Sequence, residues 1–273
     1  MNRTFFNLQW IPAGVVAIST LLLTGCATNA LTGSSQLNLV SESELQSLSA
    51  GQYNDFIKSH EVILPNKDNR AAMVQRVGKK IAAAVDSYFT QKNNKAALTG
   101  YQWEYNLVKD SAINAWCMPG GKIVVYTGIL PYTMNENALA IVIGHEVSHA
   151  LLQHGNQRMS ESMLQQLGGV ALSTALSKKP AETQDLFMKA YGVGTEIGIM
   201  LPFSRKQELE ADRFGLIWAA IAGYDPNEAL KFWERMQSSA GQKPPEFLST
   251  HPSDATRIEK IKSYLPEAMT YKK

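Results

Sequence analysis

The chain has 273 residues, 45% of them apolar and 18% charged, with ten Tyr, nine Phe and five Trp. That is a globular composition, long enough for one catalytic domain of roughly 200 to 250 residues plus a targeting segment, and it excludes disorder as the default. A net charge of +2, with no run of Lys or Arg to concentrate it, excludes a nucleic-acid-binding surface.

In chain order, Arg3 supplies a short positive segment, Val15 to Leu23 an apolar run, and Leu23-Thr24-Gly25-Cys26 places small residues before a cysteine. This resembles the lipobox of bacterial lipoproteins. It implies a signal peptide over residues 1–25, lipid on Cys26 and attachment to a membrane without a spanning helix. An uncleaved anchor, or a plain signal peptide with an incidental cysteine, is the alternative. Residues 27–40, rich in Ser, Thr, Asn and Gly, read as a tether, so the expected division is 1–25 signal peptide, 26–45 lipid-anchored tether and 46–273 catalytic domain. The other cysteine, Cys117, has no intramolecular partner if Cys26 is acylated, which excludes a disulfide scaffold.

From Ser41 to about Tyr88 the pattern is helical, with Met73, Val77, Ile81 and Val85 on one stripe. Tyr101, Trp103, Tyr105 and Leu107 alternate with mostly polar residues and predict a half-buried strand; Lys122 to Thr127 predicts a second. Pro119-Gly120-Gly121 supplies a turn, so the segments around Asn114 to Cys117 and Lys122 to Tyr126 are expected to form a hairpin. Beyond residue 135 the periodicity is helical, with breaks at Gly155, Lys178 to Pro180, Pro202, Gly223 to Pro226 and Gly241 to Pro245. The apolar stretch Leu164 to Leu176 is shorter than a span of about 20 residues and reads as a buried helix. The fold class is α+β, predominantly helical, with a small early sheet.

His145-Glu146-Val147-Ser148-His149 lies inside one helical stretch. Its two histidines sit about 40° apart on one helical face, so both imidazoles can bind one Zn²⁺ at about 2.0 to 2.1 Å, with Glu146 beside them as general base. A histidine pair and a Glu buried without a metal would carry a large desolvation cost. A catalytic zinc needs a third protein ligand. His154, on a continuous helix, would face about 180° away, so it reads as a helix-end or second-helix contact rather than a ligand. Glu208 and Asp212 share a face of a later helix, and Glu210 lies about 200° from Glu208. One carboxylate can ligate while the other hydrogen-bonds a ligand imidazole; a solvated charge pattern with Arg205 or Arg213 is the alternative.

This order, HExxH followed by Glu208-x-x-Ala211-Asp212, resembles the gluzincin (zincin-like) metallopeptidases of the HtpX, CAAX prenyl protease and periplasmic BepA type. Asn114-Ala115-Trp116 with Pro119-Gly120-Gly121 is similar to a strand of that family whose edge is expected to hold substrate backbone by β-addition. Thr250-His251-Pro252 with Arg257 is similar to its late His-Pro element. The resemblance covers about Gly51 to Ile261. It implies one zinc on His145, His149 and Glu208, Glu146 as base, and His251 as electrophilic helper that in some members takes the fourth zinc position at rest. Asp212 and Arg257 are implied as supports behind the ligands, and Asn114, Ala115 and Trp116 as substrate-binding.

The expected function is a zinc-dependent endopeptidase of the bacterial cell envelope acting on misfolded or misassembled proteins. It is expected to face the periplasm, lipid-anchored, with the outer membrane favoured because Ala27 rather than Asp follows Cys26. Polypeptide substrates bound as an added β-strand are the expected partners, with envelope assembly machinery a further one. The rival readings are a zinc-binding but proteolytically latent chaperone or assembly lipoprotein, a zinc hydrolase of a non-peptide bond, and a docking partner of a larger machine. Cys117 reads as a small apolar residue filling the sheet rather than as a redox-sensitive thiol.

Overall fold

The computed structural model of the protein describes residues 26–167, 180–191, 203–238, 246–251 and 255–272. The expected signal peptide, residues 1–25, and the part of the expected buried helix from residue 168 to 176 lie outside the described residues. The architecture is the expected α+β, predominantly helical, around one small four-stranded sheet. No helix among the described residues is long and apolar enough to cross a membrane.

The segment expected as a loose tether is docked on the body. Strands β1 (Cys26–Thr28) and β2 (Ser35–Leu37) pair antiparallel. Asn29 Nδ2 donates to the Leu151 carbonyl at 3.3 Å, Leu39 N to Ser160 Oγ at 2.9 Å, and Asn156 Nδ2 to the Val40 carbonyl at 2.8 Å. One bond comes from a side chain of the segment, Asn29; in the other two, side chains of the later helix, Ser160 and Asn156, satisfy its backbone.

The continuous helix expected from Ser41 is two helices. In α1 (Glu42–Ser59), Ser41 and Glu44 form a capping box. Pro65, which disfavours helix at the residue before it, separates α1 from α2 (Asn69–Gln91), with a two-residue strand β3 (Val62–Ile63) between. The apolar stripe of α2 is centred one residue later than Met73: Val74, Val77, Ile81 and Val85 are fully buried, and Met73 only partly.

The sheet runs β3-β4-β6-β5, with β4 (Glu104–Val108), β5 (Ala115–Met118) and β6 (Lys122–Tyr126). The expected hairpin is present: β5 and β6 pair antiparallel, Ala115 opposite Val125. Its turn needs left-handed backbone at Gly120 (φ 79°) and Gly121 (φ 83°). β4 begins three residues later than the alternation suggested, at Glu104, and lies parallel to β6. Order in the sheet leaves β5 at its edge.

Against β5 lies α3 (Glu136–Leu151), whose residues Ala138 to Leu151 are all buried, as a helix apolar all round must be. Asn135 Oδ1 caps it by accepting from Ala138 N at 2.9 Å. Then follow α4 (His154–Leu167), α5 (Pro180–Ala190), α6 (Arg205–Ile221), α7 (Glu228–Ser238), a short α8 (Glu246–Thr250) and α9 (Ala255–Met269). Helix α3 crosses closely on α6, and glycines permit it: a Cβ on Gly144 would lie 2.8 Å from the Gly215 carbonyl oxygen, and one on Gly215 would lie 2.9 Å from His145 N. Both obstacles are backbone, so the helices must separate to admit a methyl. Gly144→Ala and Gly215→Ala are each expected to cost about 1 to 3 kcal/mol. That lowers the melting temperature by several degrees, and an unchanged melt in either would show that the crossing is not close-packed.

Candidate metal centre

The α3/α6 crossing brings together residues far apart in sequence. His145 and His149 sit one turn apart on α3, and their Nε2 atoms are 3.0 Å apart. Glu208, in the first turn of α6 behind a Ser204/Gln207 capping box, places Oε1 at 3.5 Å from His149 Nε2 and Oε2 at 3.6 Å from His145 Nε2. His251, directly after α8, brings Nδ1 to 2.9 Å from Glu208 Oε1 and 3.2 Å from His145 Nε2. These four residues are buried, and one donor atom from each lies within 4.8 Å of the others.

The donor set and its spacing fit zinc. Four ligands about 2.0 to 2.1 Å from a tetrahedral zinc are separated by roughly 3.3 to 3.4 Å, and the five donor–donor distances above scatter around that value. Glu146 is adjacent without belonging to the set: its Oε1 is buried with no hydrogen-bond partner, 3.5 Å from His251 Nε2. A buried acid oxygen left unpaired is costly, and such a site is where chemistry is expected.

Behind the donors stands a charged clamp. His145 Nδ1 is 3.0 Å from Asp212 Oδ1, one turn along α6 from Glu208. Arg257 of α9 donates to both Asp212 oxygens, at 2.7 and 2.8 Å, places Nη1 2.6 Å from Glu208 Oε2, and lies over the Trp233 ring. Burial alone would raise the Asp212 carboxyl, but the charge and hydrogen bonds of Arg257 outweigh it and hold Asp212 at about 2. Burial dominates elsewhere: it depresses His145, His149 and His251, and raises Glu208. Burial, with the Glu208 charge, pushes Glu146 well up.

Three residues have a setting that sequence reasoning missed. His154 was expected as a helix-end contact away from the metal, and it does open the next helix, yet its Nδ1 lies 2.9 Å from His149 Nδ1. The expectation assumed one continuous helix; Gln153, at φ 55°, ends the first, and α4 restarts at His154 with its ring turned back. Phe203 stacks on the His149 ring at 3.7 Å between centroids, with the Arg158 guanidinium against it, and nothing in the local sequence marks either. The substrate strand is only partly as expected. Asn114, Ala115 and Trp116 are all buried, and the Trp116 indole faces Tyr53 and Phe56 of α1, with Nε1 donating to Tyr126 Oη at 3.3 Å. Trp116 is thus a core residue. Cys117 points to the opposite face, also buried, and burial pushes its thiol well up, which suits an apolar filler.

The comparisons with known proteins agree with this geometry. The model of "Peptidase family M48" matches residues 68–265. The mitochondrial metalloendopeptidase OMA1 of Schizosaccharomyces pombe is 36% identical over 208 residues, covering 76% of this chain and 56% of the relative. The OMA1 of Homo sapiens is 30% identical over 246 residues, covering 88% and 46%, and the beta-barrel assembly-enhancing protease of Yersinia pestis is 32% identical over 163 residues, covering 57% and 35%. The chain thus spans about half the length of the curated relatives it matches. These relatives correct one expectation: those from yeasts, a plant and vertebrates are named as mitochondrial, which overturns the periplasm-facing, outer-membrane location expected from the sequence. A family model covering most of the folded chain, and relatives that share it, leave one conclusion: the chain belongs to peptidase family M48.

Proposed function

We propose that the chain is a zinc-dependent endopeptidase in which His145, His149 and Glu208 hold the metal and Glu146 is the general base. The observation that carries this is the convergence of the four buried donors beside the unpaired Glu146 oxygen. Zinc, when bound, supplies Lewis acidity toward a water molecule and a peptide carbonyl. Glu146, made a stronger base by burial and by the charge of Glu208, takes the proton of the attacking water and passes it to the leaving amine. Asp212 and Arg257 keep His145 oriented. Extended polypeptide is the substrate class that the edge strand β5 suits, since only an edge can accept another strand. Unfolded or misassembled chains present such segments most readily.

One observation favours a second, latent reading of the same site. His251 already stands among the donors, and the turn that carries it is fastened on both sides: Phe247 N donates to the Ile113 carbonyl at 3.0 Å, just ahead of β5, and Phe203 N to the Thr250 carbonyl at 3.1 Å. Substrate must displace this turn, after which His251 can donate to the oxyanion. The test is zinc content and cleavage of an unfolded chain such as casein, with and without chelator, in wild type and His251→Ala. One zinc per chain and chelator-sensitive cleavage are expected. Faster cleavage by His251→Ala assigns the histidine to latency, slower cleavage assigns it to oxyanion support, and wild type without zinc would sink the proposal.

A further inference from the structure

His149 and His145 both turn one ring nitrogen to the metal site, but different groups receive the other. Behind His145 is the ionised carboxylate of Asp212. Behind His149 is another imidazole, His154, with Nδ1 facing Nδ1 at 2.9 Å and the ring planes at 70°. His154 Nε2 lies in turn 3.3 Å from Glu210 Oε2 at the surface end of the chain, where Lys206 Nζ is 3.8 Å from the other carboxylate oxygen.

We propose that His154 and Glu210 form a positioning relay that fixes the tautomer and ring orientation of His149, and so sets how tightly the site holds zinc. This rests on the reading of His145, His149 and Glu208 as ligands. A histidine that offers a lone pair from Nε2 must carry its proton on Nδ1. That N–H meets His154 Nδ1, which can accept only if the His154 proton is on Nε2. The His154 Nε2–H then donates to the Glu210 carboxylate. With both rings neutral, one assignment satisfies every group in the line, and it is the one in which His149 faces the other donors with a lone pair. An outer partner of a ligand histidine characteristically does this work and is usually a carboxylate or carbonyl; here the carboxylate acts through an interposed ring.

The local fold is built to hold that ring. His154 is fully buried although it opens a helix, and the left-handed Gln153 directs it back over the end of α3. Phe203 lies against His149 and 6.2 Å from His154 between centroids, which limits rotation of both. Glu210 is on α6 with Glu208 and Asp212 but, from its different face, reaches the site only through His154. The helix that provides a ligand thus also supports both ligand histidines.

The measurement is zinc affinity of the full chain, by competition with a chromophoric chelator, together with the visible spectrum of the Co²⁺-substituted protein. His154→Leu, which removes the acceptor, is expected to weaken zinc binding about 10- to 100-fold and to alter the Co²⁺ bands. His154→Asn, whose amide oxygen can replace Nδ1, should recover most of that loss. Glu210→Ala, which removes the acceptor at a partly exposed position, should weaken zinc less than His154→Leu. Wild-type affinity in His154→Leu overturns the relay, as does a His154→Asn no better than His154→Leu. If His154→Leu does not fold, undiminished affinity in Glu210→Ala, which removes the acceptor for His154 Nε2–H, overturns it. Zinc retained by His149→Ala would instead overturn the ligand assignment itself, whereas zinc lost there with unaltered affinity in His154→Leu removes the relay alone.

Discussion

Glu146→Gln is expected to keep its zinc and to lose cleavage by about 10²- to 10⁴-fold or more, the usual contribution of a positioned general base. The two halves of that result come from different geometry. The donor cluster comprises His145, His149, Glu208 and His251 and does not include Glu146, so removing its acidity leaves the ligands in place. Glutamine has nearly the same shape as glutamate. The variant also removes a buried acid whose Oε1 has no hydrogen-bond partner, so its stability should match or exceed wild type. What glutamine cannot do is take a proton. Burial and the Glu208 charge hold the Glu146 carboxyl well above its ordinary range, which makes the deprotonated form an effective acceptor in the site. Zinc content and casein cleavage, measured on one preparation, decide the matter. Retained cleavage would remove Glu146 from the chemistry, and lost zinc would make it a ligand.

The parts of the site legible in the sequence are those that helix geometry fixes by itself. Two histidines four residues apart must share a face, as must Glu208 and Asp212, and both pairs stand where spacing put them. Which carboxylate ligates and which supports was open until the resemblance, because spacing does not say which end of α6 meets α3. The Gly144–Gly215 crossing brings Glu208 to the Nε2 side of both histidines and Asp212 to His145 Nδ1, and contacts between distant helices leave no periodic signal. His154 stands at a helix end, as expected, but the helical wheel extends only as far as the helix, and one left-handed residue, Gln153, turns the ring back toward His149. In β5 the expected hairpin formed, but a hairpin does not say which face of the strand meets the cleft. Aromatic side chains on α1 claim Trp116, and only the tertiary structure shows them there. Residues 27–40 were read from composition as a tether, whereas Asn29 reaches the Leu151 carbonyl and Asn156, far along the chain, holds the Val40 carbonyl, a partner that composition does not reveal.

Arg257→Met is expected to lower stability by about 3 to 5 kcal/mol, the cost of taking one partner out of a buried ion network. At roughly 2 to 4 °C per kcal/mol for a domain of this size, the melting temperature falls by about 10 °C. One guanidinium serves three groups: it holds Asp212 bidentately, pairs with Glu208 Oε2, and donates from Nη1 to the His251 carbonyl at 3.2 Å. Methionine fills similar volume over the Trp233 ring but leaves two buried carboxylates without their cation. Zinc can compensate Glu208 by ligation but does not touch Asp212, so added metal should restore only part of the loss. The pH dependence identifies the cause. Asp212 is depressed from 3.8 to about 2, so the stability it contributes is fully present above pH 3.8 and is lost as pH falls through about 2. Arg257 is what depresses it, and the gap between wild type and Arg257→Met should therefore narrow as pH is lowered from 5 toward 2. Arg257→Lys, with a point charge in place of the fork, should fall between them. A gap that stays constant across that range would place the loss in packing against Trp233 rather than in the ion network.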